Sequence, residues 1–503
     1  MTLSRQLPSN LEGKRIVVTA LDLEQSEHRG IAAYSKALIR SLKEAGAEVW
    51  LLTQFDAPLW NAGIRFLPEK TRMIIYSARV LDCLAQGEQN RTKHWLENKI
   101  GIIKKIGRWR HILGKVGEFI YRPRHYRRRA IKQIRLKDLF DNPYTRHERL
   151  SYLQYVDGLL CAPNVFLAAS IAALLKHQKP VLIDLNGFDA FLTSCPLNLK
   201  PLNVDSFTQT VHDLIPLEYA QSSDNTLVFS HRLQACLPTR RIYVSRSTAE
   251  KFKKHVLKTT NVLTNGRSSN KSQELERVVV QPPSLRFPKW LTEDPEHVVD
   301  LLPVSHLLRQ KQRKNLLPFQ YLLFNSSVEP RKNLLFLVQA YAESNLGEKG
   351  IRLCVTGKLK QDNYSQAVKE IVKNEPGVIL TGYINESTKL DLYLNALALL
   401  SPSLVEGFGI PVLDSACLGM PAIASDCDSH QEIQTMFDFE QYVLLVNTLE
   451  SRDWAAAMQS IVGTSIHISD QPSKERQNRI SRYQKKSKLI DKQFQDDLKE
   501  LIA

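Results

Sequence analysis

The sequence predicts an α/β protein built from two doubly wound, Rossmann-like domains that face each other across a cleft. Three observations carry this. The chain has 503 residues, too many for one ordinary hydrophobic core. Short, continuous apolar runs alternate with helical stretches, which is the pattern of a parallel sheet covered on both faces. That alternation stops once, in a proline-rich stretch, and then starts again. With 43% apolar and 24% charged residues, the composition is that of a folded, water-soluble chain.

The series opens with the apolar run Arg15-Ile-Val-Val-Thr-Ala20. A helix over Ile31–Ala45 follows, with Ala32, Leu38, Ile39 and Leu42 near helical spacing and Gly46 marking its end. Glu48–Thr53 reads as the next strand, and Gly158–Cys161, Pro180–Ile183, Gln209–His212, Arg241–Val244 and Val278–Val280 continue the set. Between Pro282 and Phe319, six prolines and the charged run Arg309–Lys314 mark a linker. Strands resume at Tyr321–Phe324, Ile351–Val355, Val378–Leu380, Ala396–Leu400, Pro421–Ala424 and Tyr442–Val446. The expected organisation is therefore an N-terminal domain over 1–285, a linker over 286–318, a second domain over 319–475, and a helical tail over 476–503 that crosses back to the first domain. Two such domains place a ligand cleft between the carboxyl ends of their sheets.

No apolar run approaches the roughly 20 residues that span a bilayer; the best, Phe166–Leu175, is half that length. Ile16–Leu21, interrupted by Asp22, reads as a buried strand instead of a secretory signal, and a cytoplasmic location is expected. Seven scattered cysteines with no clamp spacing read as free buried thiols, and no metal site is expected. The net charge of +16 is concentrated. Between Arg91 and Phe140 stand sixteen Lys and Arg against three acids, which accounts for +13 of it.

Two segments carry chemistry. Ser401-Pro-Ser-Leu-Val-Glu-Gly-Phe-Gly-Ile-Pro-Val-Leu-Asp414 directly follows a buried strand. Pro411 suits a first helical turn, and Gly407 and Gly409 let backbone amides approach a ligand. A helix N-terminus facing a cleft is a ready site for a diphosphate. Glu406, in the loop, is placed to accept hydrogen bonds from sugar hydroxyls, and Asp414, one turn into the helix, to reach a ribose. A strand-to-helix turn would explain the glycines alone; both acids and the proline in register point to function. The second segment, Asn325-Ser-Ser-Val-Glu-Pro-Arg-Lys-Asn333, also leads from strand to helix, and its Arg331 and Lys332 suit a departing diphosphate.

Glu329-Pro-Arg-Lys-Asn333, Thr381-Gly-Tyr-Ile384 and Glu406-Gly-Phe-Gly…Asp414 together closely resemble the C-terminal half of glycosyltransferase family 4, retaining enzymes of GT-B architecture, and lean towards its bacterial mannosyl- and rhamnosyltransferases. Arg29-Gly-Ile-Ala-Ala-Tyr34 is similar to that family's Gly-rich loop, and Val211-His-Asp-Leu-Ile-Pro216 to its His-containing motif. The resemblance implies that Lys332, with Arg331 and Ser327, holds the donor diphosphate. It implies that Glu406 binds hydroxyls of the transferred sugar, that Gly407, Phe408, Gly409 and Ile410 meet phosphate and sugar through their backbone, and that Asp414 binds ribose. His212 would lie near the scissile bond, and Arg29 and Gly30 on the acceptor side. Three positions depart from the pattern: Asp414 is usually Glu, Ser326 and Ser327 stand where Gly and often Arg or Thr occur, and Arg29 replaces a Gly.

The function implied is transfer of a sugar from a nucleotide-diphosphate donor (GDP-mannose-like or a UDP-sugar) to a glycan or lipid-linked acceptor, with retention of configuration and neither cofactor nor metal required. A catalytically silent scaffold of the same fold and a nucleotide-sugar epimerase are the alternatives. The block over 91–140 reads either as a basic amphipathic contact with an anionic membrane surface, making the protein peripheral on the inner face of the plasma membrane, or as a solvated insertion. Nucleic acid is not expected as a partner, because no recognition fold surrounds the charge.

Overall fold

The computed structural model describes residues 11–25, 28, 30–55, 66–87, 125–127, 131–138, 148–174, 179–221, 225–257, 276–288, 316–465 and 471–502. Two parallel sheets form two domains. In the first, β1 (Arg15–Thr19), β2 (Glu48–Thr53), β5 (Gly158–Cys161), β7 (Ala190–Thr193), β9 (Ser206–Val211), β10 (Arg240–Tyr243) and β11 (Glu276–Val278) join β4 (Lys132–Arg135) in one eight-stranded sheet. Its order is β11-β10-β9-β7-β1-β2-β5-β4, with β4 the antiparallel edge. Lys132–Arg135, inside the expected basic insertion, is thus an integral edge strand. A smaller sheet of β3 (His125–Tyr126), β6 (Val181–Asp184) and β8 (Leu199–Leu202) packs beside it. The rest of the basic block, 91–124, 128–130 and 139–140, lies outside the described residues, as does 289–315 of the expected linker.

The second domain is a six-stranded parallel sheet of β12 (Tyr321–Asn325), β13 (Arg352–Thr356), β14 (Val378–Gly382), β15 (Ala398–Ser401), β16 (Ala422–Ser425) and β17 (Val443–Val446), in the order β14-β13-β12-β15-β16-β17. The strands are apolar through their middles (Leu322, Leu323, Leu399, Ile423) because helices cover both faces. In each sheet the strand order reverses once, between β12 and β15 here and between β1 and β7 in the first domain. Crevices at such reversals are where open α/β sheets bind ligands.

The helix Pro472–Ile502 runs 31 residues, about 46 Å at 1.5 Å per residue. Its apolar stripe of Ile480, Tyr483, Ile490, Phe494 and Leu498 is buried in a core shared by both domains. Arg479, wholly buried, donates to the carbonyls of Tyr393 and Ala396 in the second domain. Further along, Asp491 pairs with Arg40 at 2.8 Å, and the Leu501 carbonyl accepts from Arg240, both in the first domain.

The chain passes between domains at Ser284–Leu285 and again along this helix, and one carboxylate holds both crossings. Asp414, 1% exposed, accepts from the Ser284 amide (2.6 Å) and hydroxyl (2.5 Å) and from the Tyr483 hydroxyl (3.2 Å). The single proton of the Tyr483 hydroxyl is shared with the Leu285 carbonyl, 3.0 Å away. Lengthening this side chain by one methylene either overfills the site or withdraws the carboxylate from its donors. Asp414→Glu is therefore expected to lower the unfolding free energy by about 1–3 kcal/mol, read from urea denaturation followed by circular dichroism.

Candidate active site

The β12 and β15 loops meet at the reversal of the second sheet. After β12 the chain turns through Ser326–Glu329 into the short 3-10 turn Pro330–Lys332. Asn333 then takes the left-handed conformation (φ 54°), which asparagine tolerates, and the helix Leu334–Glu343 begins. The turn is pressed from below by Gly357: a Cβ there would fall 1.9 Å from the Ser326 carbonyl oxygen. After β15 the loop 402–409 leads into the helix Ile410–Leu418, and a hydrogen bond from the Leu404 amide to the Arg331 carbonyl (2.8 Å) ties the two loops together.

Across this seam lies a buried cluster of charge. Lys332, 6% exposed, bonds Glu406, 8% exposed, through Nζ and Oε1. Arg331 reaches the other oxygen of Glu406 at 3.3 Å and Glu329 at 3.1 Å, and Lys360 bonds Glu329 at 2.8 Å. Burial alone would raise the Glu406 pKa. The charges of Lys332, Arg331 and His430 overcome it and hold the group at about 2. Burial lowers the Lys332 pKa, with Glu406 opposing the shift. Arg331, Lys332 and Glu406, each singled out in its own segment of the sequence, come together here, and Glu329 of the same short motif joins them.

The glycines are dictated by close approach. At Gly407 a Cβ would lie 2.5 Å from the His212 carbonyl oxygen and 2.8 Å from the Asp213 Cβ. Gly409 has φ 102°, and a Cβ there would strike the His430 ring at 2.9 Å. His430, absent from the sequence reading, is wholly buried under this loop with Nδ1 on the Ser425 carbonyl at 2.9 Å. Phe408 is buried and Ile410 half-buried, with Ile410 Cδ1 3.4 Å from where a Cβ on Gly30 would be. Gly30 thus opens the first-domain helix Gly30–Glu44 against the second domain. Arg29 lies outside the described residues. Ser327 sits in the β12 loop beside Gly357.

His212 follows β9 and closes the site from the first domain. Its Nε2 donates to the Ser194 carbonyl at 2.7 Å, which leaves Nδ1 as the unprotonated acceptor. Enclosure of the ring, set edge-on to Tyr34 at 4.9 Å, lowers its pKa to about 4, so the imidazole is neutral at pH 7. Ser245 and Thr248 donate to the Gly407 carbonyl at 3.0 and 3.1 Å, and Glu432 accepts from the Arg246 and Ser247 amides at 2.8 and 2.9 Å. The domains are therefore bonded to each other beside the site.

Asp414 is the exception among the expected residues. Its carboxylate is engaged by Ser284, Leu285 and Tyr483, so in this structure it joins the domains.

Residues 308–487 match the family model described as Glycosyl transferases group 1. This span holds β12–β17, both loops and the charge cluster. A stretch of 116 residues is 31% identical to O-antigen chain mannosyltransferase B of Escherichia coli, covering 22% of this chain and 30% of that protein. Among solved structures, sucrose-phosphate synthase from Thermosynechococcus elongatus superposes with a TM-score of 0.51 at 14% identity, over 95% of this chain and 97% of that one. At that identity the likeness is one of fold, and it extends over both domains. The architecture is GT-B.

Among the described residues no group of three His, Cys, Asp or Glu is placed to hold a metal ion, and no helix is long and apolar enough to cross a membrane.

The charge cluster has a pH signature. The Glu406 pKa falls from its ordinary 4.5 to about 2 on folding. Its ionised form thus stabilises the protein fully above about pH 4.5, and that contribution is lost as pH falls towards 2. Glu406→Gln, which leaves Lys332 without its partner, is expected to cost roughly 3 kcal/mol at pH 7. Urea unfolding at pH 7 and pH 3 should show the gap between parent and variant shrinking by about half or more at the lower pH. A gap independent of pH would mean that the Glu406 pKa is not depressed.

Proposed function

We propose that the protein is a retaining glycosyltransferase that moves a sugar from a nucleoside-diphosphate donor to a glycan or lipid-linked acceptor. One observation carries the reading: Arg331, Lys332 and Glu406 converge at the strand-order reversal of a GT-B second domain, opposite His212 of the first. A mannosyl donor such as GDP-mannose is the first to test, because a stretch of this chain is 31% identical to part of a mannosyltransferase.

The charge arrangement suggests how the donor is received. Without ligand, Glu406 neutralises Lys332 and Arg331. A diphosphate entering over the Gly407–Ile410 backbone competes for the same two cations, as a bidentate partner for Arg331 and a point contact for Lys332. Glu406 is then released to accept hydrogen bonds from hydroxyls of the sugar. In the transfer the bond from the anomeric carbon to the phosphate oxygen breaks and the electron pair leaves with the nucleoside diphosphate. The acceptor oxygen bonds the anomeric carbon on the same face, and its proton passes to the departing phosphate. Arg331, Lys332 and the helix N-terminus stabilise the charge that develops there. Neutral His212, with Nδ1 free of a proton, provides a hydrogen-bond acceptor beside the sugar. No metal or cofactor is needed in this scheme. The basic block over 91–140 would bring the enzyme to an anionic membrane surface, where a lipid-linked acceptor resides.

A thermal-shift screen with GDP-, UDP-, dTDP- and ADP-sugars tests donor binding; ligand at a hundred times its Kd adds about 2.7 kcal/mol of stability. Lys332→Ala should weaken binding of the nucleoside diphosphate at least tenfold, about 1.4 kcal/mol, and leave the nucleoside unaffected. Equal losses for both would remove Lys332 from the diphosphate site.

Glu406→Gln should abolish transfer, with kcat down by a hundredfold or more, while nucleoside diphosphate still binds. Turnover at the parental rate would show that this carboxylate does not serve the sugar.

A further inference from the structure

The reversal between β1 and β7 is the first domain's counterpart of the donor crevice, and it holds an acid that is only half satisfied. Asp22 lies in the turn after β1, which is fixed by hydrogen bonds from the Leu23 and Glu24 amides to the Ala20 carbonyl at 2.9 and 3.0 Å. Its Oδ2 is shut off from solvent and has no hydrogen-bond partner among the described residues. Glu24, two residues on, joins β1 and β2 through one oxygen, which accepts from the Thr53 hydroxyl at 2.5 Å and the Gln54 amide at 2.9 Å. A buried carboxylate oxygen left unmatched costs stability, and such groups persist where a ligand completes them. Burial pushes the Asp22 pKa up to about 6, and the neighbouring Ser194 hydroxyl only partly offsets this.

The surroundings say which ligand. Ser194, the first residue after β7, receives a hydrogen bond on its carbonyl from His212 (2.7 Å) and gives its amide to Thr19 (2.8 Å), while its hydroxyl lies 3.1 Å from that of Thr19. His212 in turn backs directly onto Gly407, next to Glu406. A rigid line of contacts thus runs from Asp22 through Ser194 and His212 to the loop that we assign to the donor sugar. A group bound at Asp22 would be on the first-domain side of the anomeric carbon, where the incoming nucleophile must stand. An acidic oxygen beside a serine hydroxyl suits a neutral polyol, whose hydroxyls donate to the first and exchange hydrogen bonds with the second, and repels phosphate or carboxylate groups.

We propose that Asp22, with Ser194 beside it, binds a hydroxyl of an uncharged saccharide acceptor and positions that acceptor for attack. This rests on the glycosyl-transfer reading above and adds to it the residue and the chemical class on the acceptor side.

The test compares the full-length parent with Asp22→Asn, which keeps the shape and removes the charge, and with Asp22→Ala. GDP-mannose, UDP-glucose and dTDP-rhamnose are donors and octyl α-mannoside is the acceptor probe. Release of nucleoside diphosphate is measured without acceptor and then with rising acceptor. Expected for both variants is a KM for octyl α-mannoside raised at least tenfold, with acceptor-independent donor hydrolysis within twofold of the parent. An acceptor KM within twofold of the parent overturns the assignment. So does a parallel loss of hydrolysis and transfer in a variant that melts with the parent, since that would place Asp22 on the donor. If the parent neither hydrolyses nor transfers from any donor, the glycosyl-transfer reading fails instead. Saturation-transfer NMR of octyl α-mannoside then judges Asp22 alone: a signal in the parent that disappears in Asp22→Asn upholds the site, and signals that are equal or absent in both overturn it.

Discussion

Burying a lysine demands a partner for its charge, and in this protein that demand is met across two loops more than seventy residues apart. Lys332 has little access to water, and Glu406 supplies the compensating charge from the far side of the strand reversal. Arg331 and Glu329 extend the compensation, and Lys360 closes it. The β12 and β15 loops are thereby held at one spacing before any ligand arrives. Breaking a pair of this kind leaves an uncompensated charge where solvent cannot reach it, so the loops have few alternatives. The same arrangement keeps two cations and one acid poised at the end of a sheet, ready to exchange partners.

Much of this was legible in the chain. The apolar strands of the second domain stand where their sequence runs predict them, because a strand covered on both faces must be apolar through its middle and so is easy to see. Arg331, Lys332 and Glu406 stand out in the sequence because they sit in loops that lead from strand to helix beside glycine and proline. Less visible were β7 and β8, whose short runs Ala190–Thr193 and Leu199–Leu202 mix polar with apolar residues. The edge strand β4 was hidden inside a basic block for a related reason. Edge strands tolerate and even favour charge, so Lys132-Gln-Ile-Arg135 buries only Ile134.

The direction of Asp414 could not be read from its spacing. Its place on a helix fixes which face it occupies, but the donors that claim it, Ser284 and Tyr483, come from segments 130 and 69 residues away. Glu432 presents the same difficulty. It reads as an ordinary helix-face acid, yet both its oxygens receive amides from the start of a helix in the other domain. His430 is a third case. An isolated histidine in sequence gives no sign that it will lie beneath the loop that carries Glu406.

The clasp at Asp414 has a mechanical meaning. Both passages of the chain between the domains are fastened to this one carboxylate, the first through Ser284 and the second through Tyr483. A body joined to another at two adjacent points can still turn, but only about a line through them. An opening of the cleft that keeps these bonds and breaks those of Ser245, Thr248 and Glu432 beside the site is therefore a rotation about an axis at Asp414. Groups close to the axis barely move, while those at the far rim sweep the largest arc, so a few degrees at the pivot translate into ångströms at the mouth where substrates enter.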